Sequence, residues 1–391
     1  MIPFDQAFDI VMNAARPIGT ERIRIEQALN RILAEDIASD MDIPPFDKAA
    51  MDGYACCRAD LGRELTVVET IAAGAAPTQS IGEAQCAKIM TGAAVPKGAD
   101  CVIAVEFTEQ LSEQTIRFTG KHTADNICLR AEDIKSGQII LSKGEKIQPE
   151  HIAVLATVGC VEPLVARQPR VGIIATGDEL VEPSARPGSS QIRNSNSYQL
   201  AAQVAKMGAI PRYYGIAKDT NAAIDALLNK AVEESDVVLL SGGVSMGDLD
   251  LVPGILKNNK IKLLFENVAI KPGKPTVFGL SENIFCFGLP GNPVSTFVVF
   301  EILIKPFLYK MMGHDFRPAS IRAPLAKTIS LRRTDRDTFM PVTLTDNGTV
   351  APMDYHGSAD ISAMCGADGL IRIPAGINEL CEGTLVHIRT I

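Results

Sequence analysis

The chain has 391 residues, of which 46% are hydrophobic and 21% are charged, and this composition excludes a disordered chain, a collagen and a coiled coil. The formal net charge is -8, from 38 basic and 46 acidic residues, so no broad basic surface for a nucleic-acid backbone is expected. The length suffices for about two to four domains.

Membrane insertion and secretion are not predicted. The longest apolar stretches, such as residues 294–304, are interrupted by polar side chains and fall short of the ~20 residues that cross a bilayer. The first ten residues, MIPFDQAFDI, carry two acids and no basic region, unlike a secretory signal. We therefore expect a cytoplasmic protein.

The nine cysteines and five histidines show no CxxC, HxH or HExxH spacing, so the sequence predicts no zinc site. We interpret the cysteines as reduced thiols that pack in the interior.

Two helices are predicted in the first half of the chain. Apolar residues at helical spacing predict one over residues 3–15, and Pro149 and Gly159 mark the ends of another over residues 148–158. Between them, turns rich in Pro and Gly alternate with short β runs, which indicates a β-rich segment.

From residue 170, strand and helix signals alternate in the manner of a parallel α/β sheet. The predicted strands are 171–175, 212–217, 237–240 and 284–288, and the predicted helices are 197–207 and 221–233. After Pro306 the alternation stops, and short strands separated by turn signals predict an all-β C-terminal domain.

The sequence thus predicts a multidomain α/β protein with four parts. They are a helical linker module (1–40 and 141–168), an inserted β-rich domain (41–140), a parallel α/β sheet domain (169–315) and a C-terminal β domain (316–391).

Polar and small residues follow the predicted strands of the α/β domain at the points where these strands end. In an open α/β sheet, ligands bind at this edge. The SGGVSMG loop, which begins at Ser241, offers backbone N–H groups that can approach an anion closely. An ordinary Gly-Gly turn is the alternative interpretation.

Three acids, Glu179, Asp219 and Asp250, lie on three of these loops and would repel one another unless a cation lay among them. Hard oxygen ligands favour Mg²⁺, which commonly bridges to phosphates. The alternative is that they are solvated loop acids and helix caps.

The segment AIKPGKP, residues 269–275, places Lys271 and Lys274 on a turn stiffened by prolines. Two ammonium groups held in this way suit a phosphate or an oxyanion. The alternative is a basic surface turn.

Six motifs, in unbroken order between about Asp47 and Pro374, together resemble the MoeA-like molybdopterin molybdenumtransferases, the family that includes the C-terminal domain of gephyrin. They are MDGYA (51–55), MTGAAVPKGAD (90–100), TGDEL (176–180), SGGVSMGDLD (241–250), AIKPGKP (269–275) and GLPGNPVS (288–295).

The resemblance implies a homodimer of four-domain subunits that inserts molybdate into adenylylated molybdopterin and releases AMP, using Mg²⁺. It implies a MogA-like parallel α/β domain, a β-rich inserted domain, a helical linker and dimerisation module, and a C-terminal β-barrel. The active site would lie between the α/β domain of one subunit and the β-rich domain of the other. A molybdopterin adenylyltransferase protein would be the upstream partner.

The resemblance also implies roles for individual residues. Those with a catalytic role would be Asp52, Thr91 and Asp133 from the partner subunit, with Asp219 and Asp250. The metal would be held by Glu179, Asp219 and Asp250. The substrates would be bound by Ser241, Gly242, Gly243, Ser245, Lys271, Lys274, Pro290 and Pro293, with Arg336 and Ser358 framing the cleft.

Two positions depart from the family pattern. Cys128 begins a run with a single arginine where relatives are arginine-rich, and Asn267 stands where a lysine is often found. Two other functions remain open from sequence: a molybdopterin adenylyltransferase, because related domains share the SGG-type loop, and a non-catalytic scaffold that binds a partner peptide. The retained acids favour catalysis over the scaffold.

Overall fold

The computed structural model describes residues 1–244, 251–354 and 356–391. The chain divides into two compact units. Unit 1 comprises Met1–Ala34, Gly144–Gln148 and Leu164–Ile391, and unit 2 comprises Glu35–Lys143 and Pro149–Pro163. The two helices that the sequence analysis grouped into one linker module therefore lie in different compact units, and the four-domain division stays a prediction.

The four predicted helices are present, with each end within one residue of its predicted position, and the last three helices in chain order were not predicted. The helices are α1 (Phe4–Ala14), α2 (Pro149–Thr157), α3 (Asn196–Lys206), α4 (Asn221–Glu234), α5 (Val252–Asn258), α6 (Pro293–Val299) and α7 (Lys305–Met311). A π-helical turn, Phe300–Ile304, joins α6 to α7. No helix within the described ranges is both long and apolar enough to cross a membrane.

Short strands make up most of unit 2 and the end of unit 1. The strands are β1 (Thr20–Arg22), β2 (Ile37–Ala38), β3 (Lys48–Ala49), β4 (Gly53–Cys56), β5 (Glu64–Ile71), β6 (Gln85–Ile89), β7 (Cys101–Ala104), β8 (Thr108–Ser112), β9 (Thr115–Phe118), β10 (Ile127–Cys128), β11 (Ile139–Leu141), β12 (Leu164–Ala166), β13 (Arg170–Thr176), β14 (Leu180–Val181), β15 (Ile192–Arg193), β16 (Ile210–Ala217), β17 (Val237–Ser241), β18 (Lys262–Phe265), β19 (Ile270–Lys271), β20 (Val277–Leu280), β21 (Phe285–Leu289), β22 (Ser320–Pro324), β23 (Ile329–Ser330), β24 (Asp337–Leu344), β25 (Val350–Pro352), β26 (Gly369–Ile373), β27 (Glu379–Leu380) and β28 (Leu385–Thr390).

The principal sheet of unit 1 has the order β16-β13-β17-β21-β20-β18. The first four strands are parallel, as predicted, and they correspond to the four apolar runs. The last two are antiparallel additions that the sequence analysis did not identify. All five residues of β17 and of β21 are buried, which fits strands covered on both faces. The predicted α/β fold class is confirmed.

The C-terminal strands of unit 1 close into a barrel. Antiparallel pairing runs β24-β26-β28-β22, and β25 pairs with the other side of β24. A bridge between Leu325 and Val350 links the end of β22 to β25 and completes the ring. The predicted C-terminal β-barrel is thereby confirmed.

Unit 2 contains a sheet of order β7-β4-β6-β5-β9-β8, as expected of a β-rich segment. Neighbouring strands place Cys56 opposite both Cys86 and Cys101, and all three side chains are buried. The predicted packing role fits these thiols. It is wrong for Cys365, which is exposed in a 3₁₀ helix (Ile361–Gly366), and for Cys381, which is exposed directly after β27.

A cluster of phenylalanines forms part of the core of unit 1. The ring of Phe278 lies 4.7 Å from that of Phe287 and 5.9 Å from that of Phe307, measured between centroids. Phe278 is fully buried. These rings pack β20 and β21 against α7.

We predict that Phe278→Ala lowers the free energy of unfolding by about 3–5 kcal/mol, because it removes buried apolar surface and leaves a cavity. Leu385→Ala is the control, since Leu385 is 66% exposed. Urea unfolding of both variants measures the difference, and equal midpoints would contradict the prediction.

Candidate functional site

A cleft of about 700 Å³ opens at the carboxyl ends of the parallel strands in unit 1. The residues at or just beyond these ends are Thr176 at the end of β13, Asp219 after β16, Ser241 at the end of β17 and Pro290 after β21. This is the edge at which the sequence analysis expected a ligand. The strand order brings together loops that are far apart in sequence.

Most of the predicted cleft residues of the α/β domain line this cavity. They are Glu179, Asp219, Ser241, Gly242, Gly243, Pro290 and Pro293. Two further predicted residues, Ser245 and Asp250, lie outside the described residues.

Gly242 allows the loop after β17 to pass close to the neighbouring strand. Its φ is +103°, a region that side chains with a Cβ rarely adopt, and a Cβ there would lie 2.4 Å from the backbone oxygen of Thr176. The absence of a side chain therefore lets this part of the loop lie directly against the end of β13.

The side-chain amide of Asn196, at the start of α3, ties three segments together. Its Nδ2 donates hydrogen bonds to Ser241 Oγ at 2.8 Å and to the backbone oxygen of Gly291 at 2.7 Å. Asn196 is 8% exposed, so these bonds are shielded from water. One amide thus fixes the N-terminus of α3 against the end of β17 and the loop after β21.

A second side-chain amide, that of Asn194, is held by a chain of hydrogen bonds. Asn194 Nδ2 donates to Tyr213 Oη at 2.8 Å, and Tyr213 donates to Glu182 Oε1 at 2.8 Å. Burial, and then the hydrogen bond to Glu182, raises the pKa of Tyr213 well above its usual range, so its hydroxyl stays protonated and able to donate. This chain holds the lining residue Asn194 in one orientation.

The acids at the strand ends are tied to amides. Asp219 Oδ2 accepts a hydrogen bond from the backbone N–H of Asp178, and Asp178 Oδ1 accepts one from the N–H of Asp219, each at 3.3 Å. Of the three acids expected to repel one another, Asp219 thus has an amide donor from the neighbouring loop. The two loops provide amide donors that offset part of the negative charge.

The predicted Mg²⁺ site is represented by two of its three carboxylates, Glu179 and Asp219, which both line the cleft. Among the described residues, no three Asp, Glu, His or Cys side chains are grouped closely enough to hold a metal ion. Two carboxylates with substrate phosphates and water are a donor set that Mg²⁺ accepts. Mg²⁺ binding stays a prediction.

The two lysines of the predicted oxyanion turn are exposed, and neither is among the described residues that line the cleft. The turn nevertheless reaches it, because Pro275, next to Lys274, is a lining residue. Arg336 lies beside the same turn, with its Nη1 donating to the backbone oxygen of Ile270 at 3.4 Å.

The C-terminal domain forms one wall of the cleft through Ala359 and Ile361. The predicted residue Ser358 is fixed at this wall, since its Oγ accepts a hydrogen bond from Asn292 Nδ2 at 3.0 Å and its carbonyl accepts one from the N–H of Val294 at 3.0 Å. Ser358 therefore contacts the lining residue Asn292, and its role in framing the cleft stays a prediction.

The remaining predicted residues, Asp52, Thr91 and Asp133, belong to unit 2. The backbone N–H and the hydroxyl of Thr91 both donate to Asp52 Oδ1, each at 2.7 Å. These bonds hold the pKa of Asp52 below its usual range, the backbone bond contributing most. The side chain of Asp133 is exposed.

The sequence analysis missed several lining residues. They are Arg193, Asn194, Ser195, Asn196 and Asn292. The run RNSNS, residues 193–197, could have indicated them, because Asn and Ser directly before a predicted helix commonly cap its N-terminus.

Comparisons with known proteins cover nearly the whole chain. Family profiles match residues 2–159 (MoeA N-terminal region, domain I and II), 172–310 (probable molybdopterin binding domain) and 322–391 (MoeA C-terminal region, domain IV). A molybdopterin molybdenumtransferase from Staphylococcus aureus is 35% identical, covering 99% of this chain and 95% of the relative.

The chain belongs to the MoeA family of molybdopterin molybdenumtransferases. A second molybdenumtransferase, from Bacillus subtilis, is 33% identical over 99% of this chain and 93% of its own length. The crystal structure of a molybdopterin biosynthesis MoeA protein from Pyrococcus horikoshii matches with a TM-score of 0.85 and 31% identity over the full length of both chains. The family and the transferase class predicted from the motifs are confirmed, and the two alternative functions are not favoured.

We predict that Asn196→Ala destabilises this transferase by about 1–3 kcal/mol, because Ser241 Oγ and the Gly291 carbonyl lose a buried partner. Asn258→Ala is the control, since Asn258 lies exposed at the end of α5. Urea unfolding compares the two variants, and equal stabilities would contradict the bridging role of the Asn196 amide.

We predict that Thr91→Val raises the pKa of Asp52, because one of its two donors is lost. A lowered folded-state pKa stabilises the fold above the ordinary carboxyl pKa, and this contribution disappears as the pH falls through the folded-state value. In the variant it should disappear at higher pH. Carboxyl NMR titration measures the shift, with the exposed strand residue Thr70→Val as control. An unchanged Asp52 titration would contradict it.

Proposed function

We propose that this protein inserts molybdate into adenylylated molybdopterin and releases AMP. The observation that carries the proposal is the cleft itself, where Glu179, Asp219 and the Ser241–Gly243 loop meet at the strand ends next to a turn with two lysines. Relatives of the same length are named molybdopterin molybdenumtransferases, and this supports molybdopterin as the substrate class.

Molybdate, the dithiolene sulfurs of molybdopterin and the phosphoanhydride that is cleaved to release AMP are all anionic. The site must therefore reduce their mutual repulsion. We propose that the phosphates of the substrate bind at the loop of Ser241, Gly242 and Gly243. The N–H of Gly242 donates to the carbonyl of Leu289 at 3.0 Å, so the N–H of Gly243 is the proposed donor to the phosphate. The N-terminus of α3 lies at the same cleft, and its dipole favours negative charge there. Pro290 and Pro293 would shape the adjoining pocket. Ser245, from the loop that begins at Ser241, would contribute to substrate binding.

Molybdate is proposed to bind at the lysine turn. Lys271 and Lys274 supply two ammonium groups, and Arg336 adds a guanidinium held beside Ile270. Ser358 at the neighbouring wall would donate its hydroxyl. Because Pro275 of the same turn lines the cleft, an oxyanion held by Lys274 would lie near the bound pterin.

Mg²⁺ is proposed to bind at Glu179, Asp219 and Asp250. When bound, it would neutralise negative charge on the phosphate of the leaving AMP. Asp219 is already oriented by the N–H of Asp178, so one of its oxygens stays in place whether or not metal is bound. No protein nucleophile is required.

We further propose a cytoplasmic homodimer in which unit 2 of each copy supplies residues to the cleft of the other. Asp52, oriented by Thr91, would act from the partner copy together with Asp133. A molybdopterin adenylyltransferase protein would deliver the adenylylated substrate. The acidic net charge gives no support to nucleic acid as a partner.

The test is molybdate-dependent AMP release by purified protein with Mg²⁺ and adenylylated molybdopterin. We expect Asp219→Asn to lower the rate by about a hundredfold or more, because an oriented charge at the metal site is lost. Glu233→Gln on the exposed face of α4 is the charge-matched control and should retain activity. Unchanged turnover in Asp219→Asn would refute the site assignment, and AMP release without molybdate would refute the proposed reaction.

A further inference from the structure

The N-terminal residues of unit 1 pair with the chain just before the lysine turn. The N–H of Ile2 donates to the carbonyl of Asn267 at 3.0 Å, and the N–H of Ala269 donates to the carbonyl of Ile2 at 2.8 Å. This pairing ends two residues before Lys271. The N-terminal segment therefore holds one side of the strand that leads into the turn.

The other side of the same strand is held by β24. The N–H of Asp337 donates to the carbonyl of Ala269 at 3.0 Å, and parallel pairing places Lys271 beside Thr338. Ala269 thus lies between the N-terminal segment and β24, two residues before Lys271. A movement of either neighbour would displace the first lysine.

The turn itself has little freedom to adjust. Gly273 has a φ of +110°, and a Cβ there would lie 2.6 Å from the side chain of Val299 in α6. The hydroxyl of Thr276 donates to the carbonyl of Gly273 at 2.6 Å. The close contact with Val299 and the hydrogen bond from Thr276 fix the shape of the turn, so its position follows that of the strand before it.

One guanidinium connects the two neighbours. Arg372 Nε donates to Asp337 Oδ2 at 2.8 Å, while its Nη1 and Nη2 donate to the two oxygens of Asp5 at 2.7 and 2.8 Å. Asp337 is 8% exposed, and its Oδ1 accepts a further bond from the N–H of Ala375 at 2.9 Å. The guanidinium also lies 4.9 Å from the ring centroid of Phe4.

We infer that Asp5 and Arg372 are positioning residues that set the affinity of the lysine turn for its oxyanion. The inference rests on the proposed function, which assigns molybdate to Lys271 and Lys274. Asp5 fixes α1, and with it Ile2, relative to Arg372, which fixes Asp337. A two-donor fork is needed for this geometry, so a lysine cannot replace Arg372.

The test compares KM for molybdate with KM for adenylylated molybdopterin in molybdate-dependent AMP release. In Asp5→Asn and in Arg372→Lys, we expect KM for molybdate to rise by roughly threefold to tenfold, because small displacements weaken an oriented charge site. KM for adenylylated molybdopterin and kcat at saturating molybdate should stay within about twofold. Asp5→Glu, which keeps the carboxylate, should recover part of the loss.

Asp9→Asn is the matched control, since Asp9 lies exposed on the same helix and the charge change is identical. Hydrogen exchange gives a readout independent of activity: the N–H of Ala269 should exchange faster in Asp5→Asn than in Asp9→Asn. An unchanged molybdate KM, or an equal rise in both Michaelis constants, overturns the inference.

The variant Lys274→Ala distinguishes a failure of this inference from a failure of the proposed function. Lys274→Ala removes a proposed oxyanion ligand without touching Asp5 or Arg372. If Lys274→Ala raises KM for molybdate while Asp5→Asn and Arg372→Lys do not, the inference fails and the proposed site stands. If Lys274→Ala leaves KM for molybdate unchanged, the proposed oxyanion site fails. Faster exchange of the Ala269 N–H in Asp5→Asn would then still support the role of the Asp5–Arg372 contact in positioning this strand.

Discussion

The cleft depends on the buried side-chain amide of Asn196. Parallel strands bring several loops to one edge of the sheet, but they do not fix how those loops lie against one another. The two bonds from Asn196 to Ser241 and to the Gly291 carbonyl do so, since they join the start of α3 to the ends of two central strands. Buried hydrogen bonds of this kind specify one arrangement, because a broken one leaves unsatisfied polar atoms.

The electrostatics of the cleft follow from this arrangement. Asp178 and Asp219 each accept an amide N–H from the other's loop, so the negative edge of the cleft is partly neutralised by the protein. The positive side chains lie on a separate turn, held by packing of Gly273 against Val299. The acids of the cleft and the lysines of the turn are thus kept apart, while both the acidic loops and, through Pro275, the turn reach the same cavity.

Much of this could be predicted from sequence. The four parallel strands and the helices α3 and α4 were predictable because apolar runs and helical spacing are long there, and Glu179, Asp219 and the Ser241–Gly243 loop followed as the residues at strand ends. The helices α5, α6 and α7 were not predicted, since each is only seven residues long. The antiparallel strands β18 and β20 were not predicted, since both are four residues long and lie among turn residues. Short runs give little periodicity.

The parts that sequence could not give depend on which loops become neighbours. Asn194 and Asn196 read as ordinary residues near a helix start, and their role appears once Tyr213 and Ser241 lie beside them. The reciprocal bonds of Asp178 and Asp219 likewise require that β13 and β16 be adjacent. The exposed positions of Cys365 and Cys381 show that a residue type alone does not determine burial.

The division of the chain into two units has a consequence for synthesis on the ribosome. Unit 2 can be complete once residue 163 has emerged, whereas α1 packs in a core with Leu200, Val204 and Phe300. At about 5–20 residues per second, the apolar face of α1 must wait on the order of ten seconds for these partners. During translation, the apolar face of α1 thus stays without its native partners long after α1 itself has been synthesised.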